Sequence, residues 1–146
     1  MTPDQLSVET APGDGYAVVR VAGEVDALTA PELRDALLDA MRQHGPTILL
    51  DLADVTFMDS TGIGVLVGSE RRTLLEGGRL VICRPSPQVI RPLNVLGVGR
   101  FLEIHPGSPS PDLLAAGSGA AAHGDLALGS GSSASTSAAT ESSRSG

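Results

Sequence analysis

The residue with the clearest capacity for chemistry is Ser60, whose hydroxyl precedes two closely spaced glycines, Gly62 and Gly64. Such a serine can cap the helix that follows it, attack a substrate if a histidine activates it, or accept a phosphoryl group. A helix N-terminus also holds a phosphate through its free backbone N–H groups and its dipole. Glycine is costly in a first helical turn, but its bare backbone lets another molecule approach closely. Ser60 is therefore the first candidate for a functional residue of this chain.

Nucleophilic catalysis by Ser60 lacks the partners that it needs. A nucleophile elbow has the spacing Gly-x-Ser-x-Gly, and Met58 stands where its first glycine belongs. The three histidines are His44, His105 and His123, and no spacing places any of them near Ser60. A small serine hydrolase therefore stays only as a minor alternative. We expect no catalytic residue, no metal and no cofactor, and therefore no enzymatic activity.

The charged residues exclude further classes of protein. All ten basic residues are arginine, and the net charge is −7. Without lysine the chain cannot carry a Walker A phosphate loop, the strand lysine of a protein kinase or a Schiff base. A phospho-aspartate receiver also requires a lysine, although Asp51 and Asp54 could imitate its acidic pocket. The acidic balance and the small number of aromatic residues argue against direct binding of nucleic acid and favour a protein partner.

The sequence is typical of a soluble cytoplasmic protein. Its single cysteine, Cys83, cannot form an intrachain disulfide, which fits a reducing compartment. The N-terminus shows no basic region followed by an apolar stretch, and no apolar run reaches the ~20 residues that span a bilayer. We therefore expect no signal peptide and no membrane partner.

Strand and helix patterns alternate over the first 106 residues. Alternating or buried apolar runs predict five strands, and apolar residues at helical spacing predict three helices. The predicted strands are 6–10, 16–21, 47–52, 79–83 and 100–104, and the helices are 29–44, 60–76 and one that opens at Ser86. This order predicts a single α/β domain with a mostly parallel sheet of four to five strands and an antiparallel N-terminal strand.

Two local patterns carry expectations of their own. Thr29 and Glu32 have the spacing of a capping box at the start of the first helix. Glu70, Arg71 and Arg72 are consecutive charged residues in the second helix and predict a helix face in contact with solvent.

The predicted topology brings two acidic segments together. Parallel strands joined by right-handed crossovers present their carboxyl ends at the same edge of the sheet. The segments 23–26 and 54–60 follow neighbouring strands, which lie ~4.8 Å apart, so Ser60 should face Glu24 and Asp26. Partners of open α/β sheets bind at this edge.

The motifs in these segments resemble those of a known family. Gly-Glu-Val-Asp at 23–26, Phe-Met-Asp-Ser-Thr-Gly-Ile-Gly at 57–64 and Gly-Gly-Arg-Leu-Val-Ile at 77–82 are similar to the STAS domain of bacterial anti-sigma factor antagonists. The resemblance covers roughly residues 4–106. It implies a protein that captures an anti-sigma factor and so frees a sigma factor. That anti-sigma factor is also an ATP-binding serine kinase, and phosphorylation of the antagonist ends the capture.

The same resemblance assigns the site residues. By motif, Ser60 is the phosphorylated serine, Asp26 is the loop aspartate near it, and Asp59 is the preceding aspartate. The predicted partner-binding residues are Glu24, Asp26, Asp59, Ser60, Thr61, Gly62 and Gly64. A phosphatase that acts on phospho-Ser60 would reset the switch. Thr61 is held open as a second phosphorylation site.

Other functions of the same domain stay open. A STAS domain can be a subunit of a stress-signalling complex or of a lipid-transport system. A transporter tail would follow membrane helices, which this sequence does not predict. Ser60 could also be only the cap of its helix.

The composition changes sharply near Pro106. Of the 40 residues 107–146, 27 are Gly, Ser or Ala, and such a segment has too little bulky apolar surface to offset its ordering entropy. The sequence therefore predicts a STAS domain over 1–106 and a disordered, flexible tail over 107–146, with a weak helix signal at 112–116.

Overall fold

Five strands form one mixed sheet in the computed structural model, which describes residues 5–115. The strands are β1 (Ser7–Pro12), β2 (Ala17–Val25), β3 (Thr47–Met58), β4 (Arg79–Cys83) and β5 (Glu103–His105). The helices are α1 (Ala30–His44), α2 (Ser60–Leu75), α3 (Pro87–Leu96) and the short α4 (Asp112–Ala115). The strands lie in sequence order, with β1 antiparallel to β2 and every other pair parallel. The predicted fold class is confirmed.

The order of the strands explains where the core lies. Each crossover moves one strand further in the same direction, and right-handed crossovers of this kind place α1, α2 and α3 on one face of the sheet. The main core fills the space beneath them. It includes buried leucines from β3, α1 and α2, among them Leu50, Leu37 and Leu66.

The opposite face of the sheet carries a second, smaller apolar cluster. It joins three buried strand residues to two leucines of α4: Leu49, Val81 and Cys83, with Leu113 and Leu114. Arg79 holds this helix in place, because its guanidinium donates to the carbonyl oxygens of Leu113 at 3.3 Å and Leu114 at 3.1 Å. Arg79 also forms an ion pair with the buried Glu103 at 2.6 Å. Packed structure therefore continues beyond Pro106.

The prediction that the domain consists of residues 1–106, followed by a tail from residue 107, stays a prediction. Residues 116–146 of the predicted tail lie outside the described residues. Among residues 5–115, no helix has the length and apolar character that crossing a membrane requires.

Several strand boundaries differ from the prediction. β1 ends at Pro12 instead of Thr10, β2 ends at Val25 instead of Val21, and β3 continues to Met58 instead of ending at Leu52. β5 begins at Glu103 rather than Arg100, because Gly99–Phe101 forms a 3-10 turn closed by a bond from the N–H of Phe101 to the carbonyl of Val98.

The charged triplet of α2 is only partly exposed to solvent, so that prediction was wrong for Glu70. Arg71 and Arg72 are exposed, but Glu70 is only 7% exposed. It lies one helical turn after Leu66, on the face that packs onto the sheet. Burial raises the pKa of Glu70 to about 7, the nearby Glu103 carboxylate adds to this increase, and Arg79 opposes it.

Candidate functional site

The predicted site lies on a two-stranded extension of the sheet. β4 pairs with β3 only as far as Asp51, whereas β2 and β3 continue together to Val25 and Met58. The register between β2 and β3 shifts twice along this stretch, and each shift places an extra residue in β3. Such bulges bend a strand and increase its twist. The extension therefore carries the ends of both strands beyond β4 to a single edge.

Two residues stabilise this irregular extension. Gly23 has a φ of +100°, a conformation that glycine adopts without steric cost. Ser86, which is buried just before α3, donates from its hydroxyl to the carbonyl oxygen of Val55 at 2.6 Å and from its N–H to that of Leu52 at 3.3 Å. These bonds satisfy buried carbonyl groups of β3 past the end of its pairing with β4.

The start of α2 shows which residue caps the helix. Asp59 occupies the cap position, and its Oδ1 accepts from the N–H of Thr61 at 2.9 Å and of Gly62 at 3.2 Å. Ser60 is the first helical residue, and its side chain is exposed. Among residues 5–115 no group forms a hydrogen bond with its hydroxyl. Ser60 is therefore not the cap, and its hydroxyl is free to react or to bind.

The two acidic segments meet as the topology predicts. The N–H of Asp59 donates to the carbonyl oxygen of Val25 at 3.2 Å, and Glu24 is the cross-strand neighbour of Phe57. Glu24, Asp26 and Asp59 are all half-buried at this edge. The structure thus brings the predicted acidic residues to the start of α2.

Asp26 organises the loop between β2 and α1. Its Oδ1 accepts from the N–H of Leu28 at 2.9 Å and of Thr29 at 3.1 Å. The hydroxyl of Thr29 donates to the carbonyl oxygen of Glu24 at 2.8 Å. Because its hydroxyl is engaged there, Thr29 makes no side-chain cap bond to α1, and the predicted capping box with Glu32 is wrong. Asp26 is therefore a structural residue of this loop as well as a candidate contact.

The two glycines of the motif have different environments. Gly62 is buried, and a Cβ there would lie 2.7 Å from Met58 Cγ and 2.8 Å from Val25 Cγ1. Packing of α2 onto the extension is therefore sufficient to explain a glycine at this position. Gly64 is exposed, and a Cβ there would meet no atom within 4 Å.

Gly64 opens onto a shallow groove between α1 and α2. The groove has a volume of about 360 Å³ and begins at Thr61, next to Ser60. Arg34 and Leu38 of α1 form one wall, and Gly64 and Gly68 contribute to the other. A partner that contacts Ser60 can therefore approach the backbone of α2 at Gly64, but not at the buried Gly62.

Two exposed apolar residues of this edge were missed by the sequence prediction. Leu28 is 90% exposed and Phe57 is 45% exposed. Their positions in the sequence could have identified them. Leu28 follows the acidic segment 23–26, and Phe57, a rare aromatic residue in this chain, lies two residues before Asp59. Leu28 and Phe57 therefore join the candidate contacts of this edge.

The residues that a phospho-aspartate receiver or a serine hydrolase would need either make other contacts or lie away from Ser60. Asp51 is buried on the opposite face of the sheet, where Arg84 pairs with it at 2.9 Å. Burial alone would raise the pKa of Asp51, but the hydrogen bond from Arg84 holds it below its ordinary value. His44 and His105 lie at the ends of α1 and β5, and His123 lies outside the described residues. Within the described range, neither histidine belongs to the segments that carry Ser60.

Comparison with known proteins identifies the family of this domain. A family model described as the STAS domain matches residues 5–110, which include the whole sheet and the edge at Ser60. The chain belongs to the STAS domain family. The same STAS fold occurs in solved structures, including an anti-sigma factor antagonist from Mycobacterium paratuberculosis, with a TM-score of 0.67 and 29% identity. That likeness covers 79% of this chain and 96% of the other.

Curated relatives of this STAS chain are similar over nearly their full length. An anti-sigma-B factor antagonist of Bacillus subtilis (strain 168) is 33% identical over 99 residues, which are 68% of this chain and 90% of the relative. The anti-sigma-B factor antagonist of Listeria monocytogenes serovar 1/2a is 37% identical over 100 residues, covering 68% of this chain and 88% of the relative.

Proposed function

We propose that this STAS protein is an anti-sigma factor antagonist that is switched by phosphorylation of Ser60. The observation that carries the proposal is the exposed hydroxyl of Ser60, which stands at the start of α2 while Asp59 performs the capping. The names of the curated relatives support the antagonist function. In the unphosphorylated form the chain binds its anti-sigma factor and thereby frees a sigma factor.

The partner is an anti-sigma factor that is also an ATP-binding serine kinase. It transfers a phosphoryl group to the Ser60 hydroxyl, and a separate phosphatase that acts on phospho-Ser60 restores the binding form. The chain itself is a cytoplasmic regulatory protein without enzymatic activity, and it uses no metal or cofactor. Neither nucleic acid nor a membrane is a direct partner.

Phosphorylation abolishes binding through charge and bulk at the edge. A phosphoserine carries about −1.5 to −2 charge at pH 7. The Asp59 carboxylate already accepts from the N–H groups of Thr61 and Gly62, so the new phosphate stands beside a carboxylate instead of finding those donors free. The helix dipole offsets part of this charge, and the fold survives.

The switch needs only a moderate loss of binding energy. A partner shaped to touch the small Ser60 hydroxyl and the open backbone at Gly64 cannot keep the same contact over a phosphate. A loss of ~3 kcal/mol lowers the affinity more than a hundredfold, which is enough to release the anti-sigma factor.

The test begins with identification of the partner. Tagged wild-type protein is purified from its own organism, and a co-purifying ATP-binding kinase is identified by mass spectrometry and then expressed alone. Titration calorimetry compares wild type, Ser60→Ala and enzymatically phosphorylated protein against that kinase. We expect Ser60→Ala to bind and never to be released by ATP, and phosphorylated protein to bind more than about a hundredfold more weakly.

Thr10→Ala is the matched control, because Thr10 is an exposed hydroxyl residue of β1 outside the predicted partner-binding residues. We expect Thr10→Ala to be phosphorylated like wild type and to respond to ATP. Phosphorylated protein that binds as tightly as Ser60→Ala would refute the switch. Recovery of a multi-subunit stress-signalling complex or a lipid transporter, without a kinase, would contradict the antagonist function.

A further inference from the structure

Seven large apolar side chains are exposed within residues 5–115. Two of them lie at the edge that is formed by segments 23–29 and 54–60, which we call the Ser60 edge. These two are Leu28 and Phe57, and the others are Leu74, Leu75, Val95, Leu96 and Phe101. The second set belongs to the C-terminal parts of α2 and α3 and to the turn before β5. In a parallel α/β arrangement those parts lie at the edge opposite to the start of α2. Leu28 and Phe57 therefore lie apart from the second set, on the two chain segments that end beside Ser60.

Leu28 is held in its exposed position by a hydrogen-bonded loop. Its N–H donates to Asp26 Oδ1 at 2.9 Å, and the backbone carbonyl of Asp26 accepts from the N–H of Ala30 at 2.7 Å. The hydroxyl of Thr29 closes the loop against Glu24. A loop that is already ordered loses little conformational entropy when it binds, so an apolar side chain on it is well suited to anchor a partner.

Phe57 is held at the same edge by strand pairing. It is the neighbour of Glu24 in the β2–β3 extension, and it lies two residues before the capping Asp59. Aromatic residues are frequent among the side chains that dominate the binding energy of protein interfaces.

The charges around these two residues indicate the chemistry of the partner. Every charged residue in the segments 23–26 and 54–59 is acidic: Glu24, Asp26, Asp54 and Asp59. A second copy of the same edge would place carboxylates against carboxylates, which costs binding energy. The complementary surface is an apolar pocket surrounded by arginine or lysine side chains.

We propose that Leu28 and Phe57 are apolar anchors that insert into a basic-rimmed pocket of the anti-sigma factor, and that Asp26 acts as a positioning residue for Leu28. This inference rests on the proposed function and names the residues that supply binding energy beside the switch. Ser60 then controls whether the anchors engage, because a phosphate beside Asp59 keeps the two surfaces apart.

The decisive variant is Leu28→Ser, with Leu75→Ser as its matched control. Leu75 is 81% exposed on the last turn of α2, about 22 Å along the helix from Ser60. The probe is the purified anti-sigma factor kinase identified with wild-type protein, and affinity is measured by calorimetry with unphosphorylated protein. We expect Leu28→Ser to weaken binding roughly 30-fold. Leu75→Ser should stay within about twofold and Leu28→Met within about threefold of wild type.

Melting temperature and molar mass in solution are measured for the same variants. If wild type binds the kinase and Leu28→Ser binds equally tightly, the anchor is wrong while the antagonist function stands. If wild type binds no anti-sigma factor, the proposed function fails and the anchor fails with it. A wild-type dimer that Leu28→Ser converts to a monomer would show that a second copy occupies this surface and would overturn the proposal.

Discussion

The N–H of Asp59 donates to the carbonyl oxygen of Val25 at 3.2 Å, and this bond joins the two halves of the Ser60 edge. It continues the pairing of β2 with β3 for one step beyond their last paired residues. Asp59 then caps α2, and Asp26, the residue after Val25, orders the loop that leads to α1. The geometry around Ser60 therefore depends on backbone pairing and on two aspartates that also satisfy backbone N–H groups.

The role of Asp26 in its loop predicts a loss of stability when its carboxylate is removed. Asp26→Ala leaves the N–H of Leu28 without its acceptor and removes one of the two acceptors of the Thr29 N–H, and we expect the free energy of unfolding to fall by about 1–2 kcal/mol. Asp26→Asn keeps an acceptor oxygen and should unfold like wild type in urea. Equal urea midpoints for the alanine variant and wild type would show that the loop does not need this carboxylate.

The environments of the two motif glycines predict opposite effects of the same substitution. Gly62→Ala forces a Cβ to within 2.7 Å of Met58 and 2.8 Å of Val25, so we expect a destabilisation of about 1–3 kcal/mol. Gly64→Ala adds a methyl group in open space within a helix, so it should stabilise the fold by up to about 1 kcal/mol. Thermal and urea unfolding of both variants measure this. Two changes of the same sign would contradict the packing.

The framework of the site could be predicted from sequence because its signals are local. The apolar run at 47–52 and the turn residues around it predict a buried strand, and the strand order then dictates that the segments after Val21 and Leu52 meet. The extension of β3 to Met58 could not be predicted. Asp54 and Thr56 interrupt the apolar pattern, and a bulge leaves no simple period in the sequence.

Side-chain roles depended on contacts that a sequence pattern does not contain. Thr29 has cap spacing, but its hydroxyl bonds to Glu24, which belongs to the preceding strand. Ser86 opens α3 as predicted, as its N-cap residue, but its hydroxyl bonds to Val55 of β3 and makes no cap bond to the helix. Glu70 carries a charge that favours an exposed position, but the helical period places it one turn after Leu66 on the buried face. In each case tertiary contact outweighed local preference.

The buried Glu70 predicts that stability falls as pH rises. Its pKa is about 7 in the folded chain because of burial and the nearby Glu103, against about 4.5 when it is unfolded and exposed. One carboxylate oxygen, Oε1, has no hydrogen-bond partner within the described residues. The folded state therefore binds this proton more tightly, and the stabilisation present below pH 4.5 is lost between about pH 4.5 and 7. The loss is at most about 3 kcal/mol.

Glu70→Gln tests this dependence because it keeps the shape and removes the charge. We expect the variant to be more stable than wild type at pH 8, with the difference shrinking toward zero near pH 4.5. Glu9→Gln is the control for the substitution itself, since Glu9 is exposed on β1, and its stability is measured at the same pH values. A difference between Glu70→Gln and wild type that is the same at every pH would rule out titration of this residue.

The contact of α4 with the second face of the sheet predicts that residues 107–115 shield Cys83. The thiol is fully buried in the cluster that Leu113 and Leu114 join. Burial raises its pKa to about 12, and the carboxylates of Asp51 and Glu103 add to this increase. A chain that ends at Pro106 loses both leucines and the two carbonyl groups that Arg79 binds. Its Cys83 should therefore react faster with a thiol reagent.

The measurement compares chains ending at Pro106 and at Ala115 with the full chain, using a chromogenic disulfide reagent at pH 8. Because Cys83 is the only cysteine, the rate reports on this cluster alone. We expect the chain ending at Ala115 to react like the full chain, and the chain ending at Pro106 to react at least roughly tenfold faster, which corresponds to about 1.4 kcal/mol of lost protection. Leu113→Ser in the full chain should accelerate the reaction in the same direction. Equal rates and equal melting temperatures in all three chains would show instead that the domain ends at Pro106 and that α4 protects nothing.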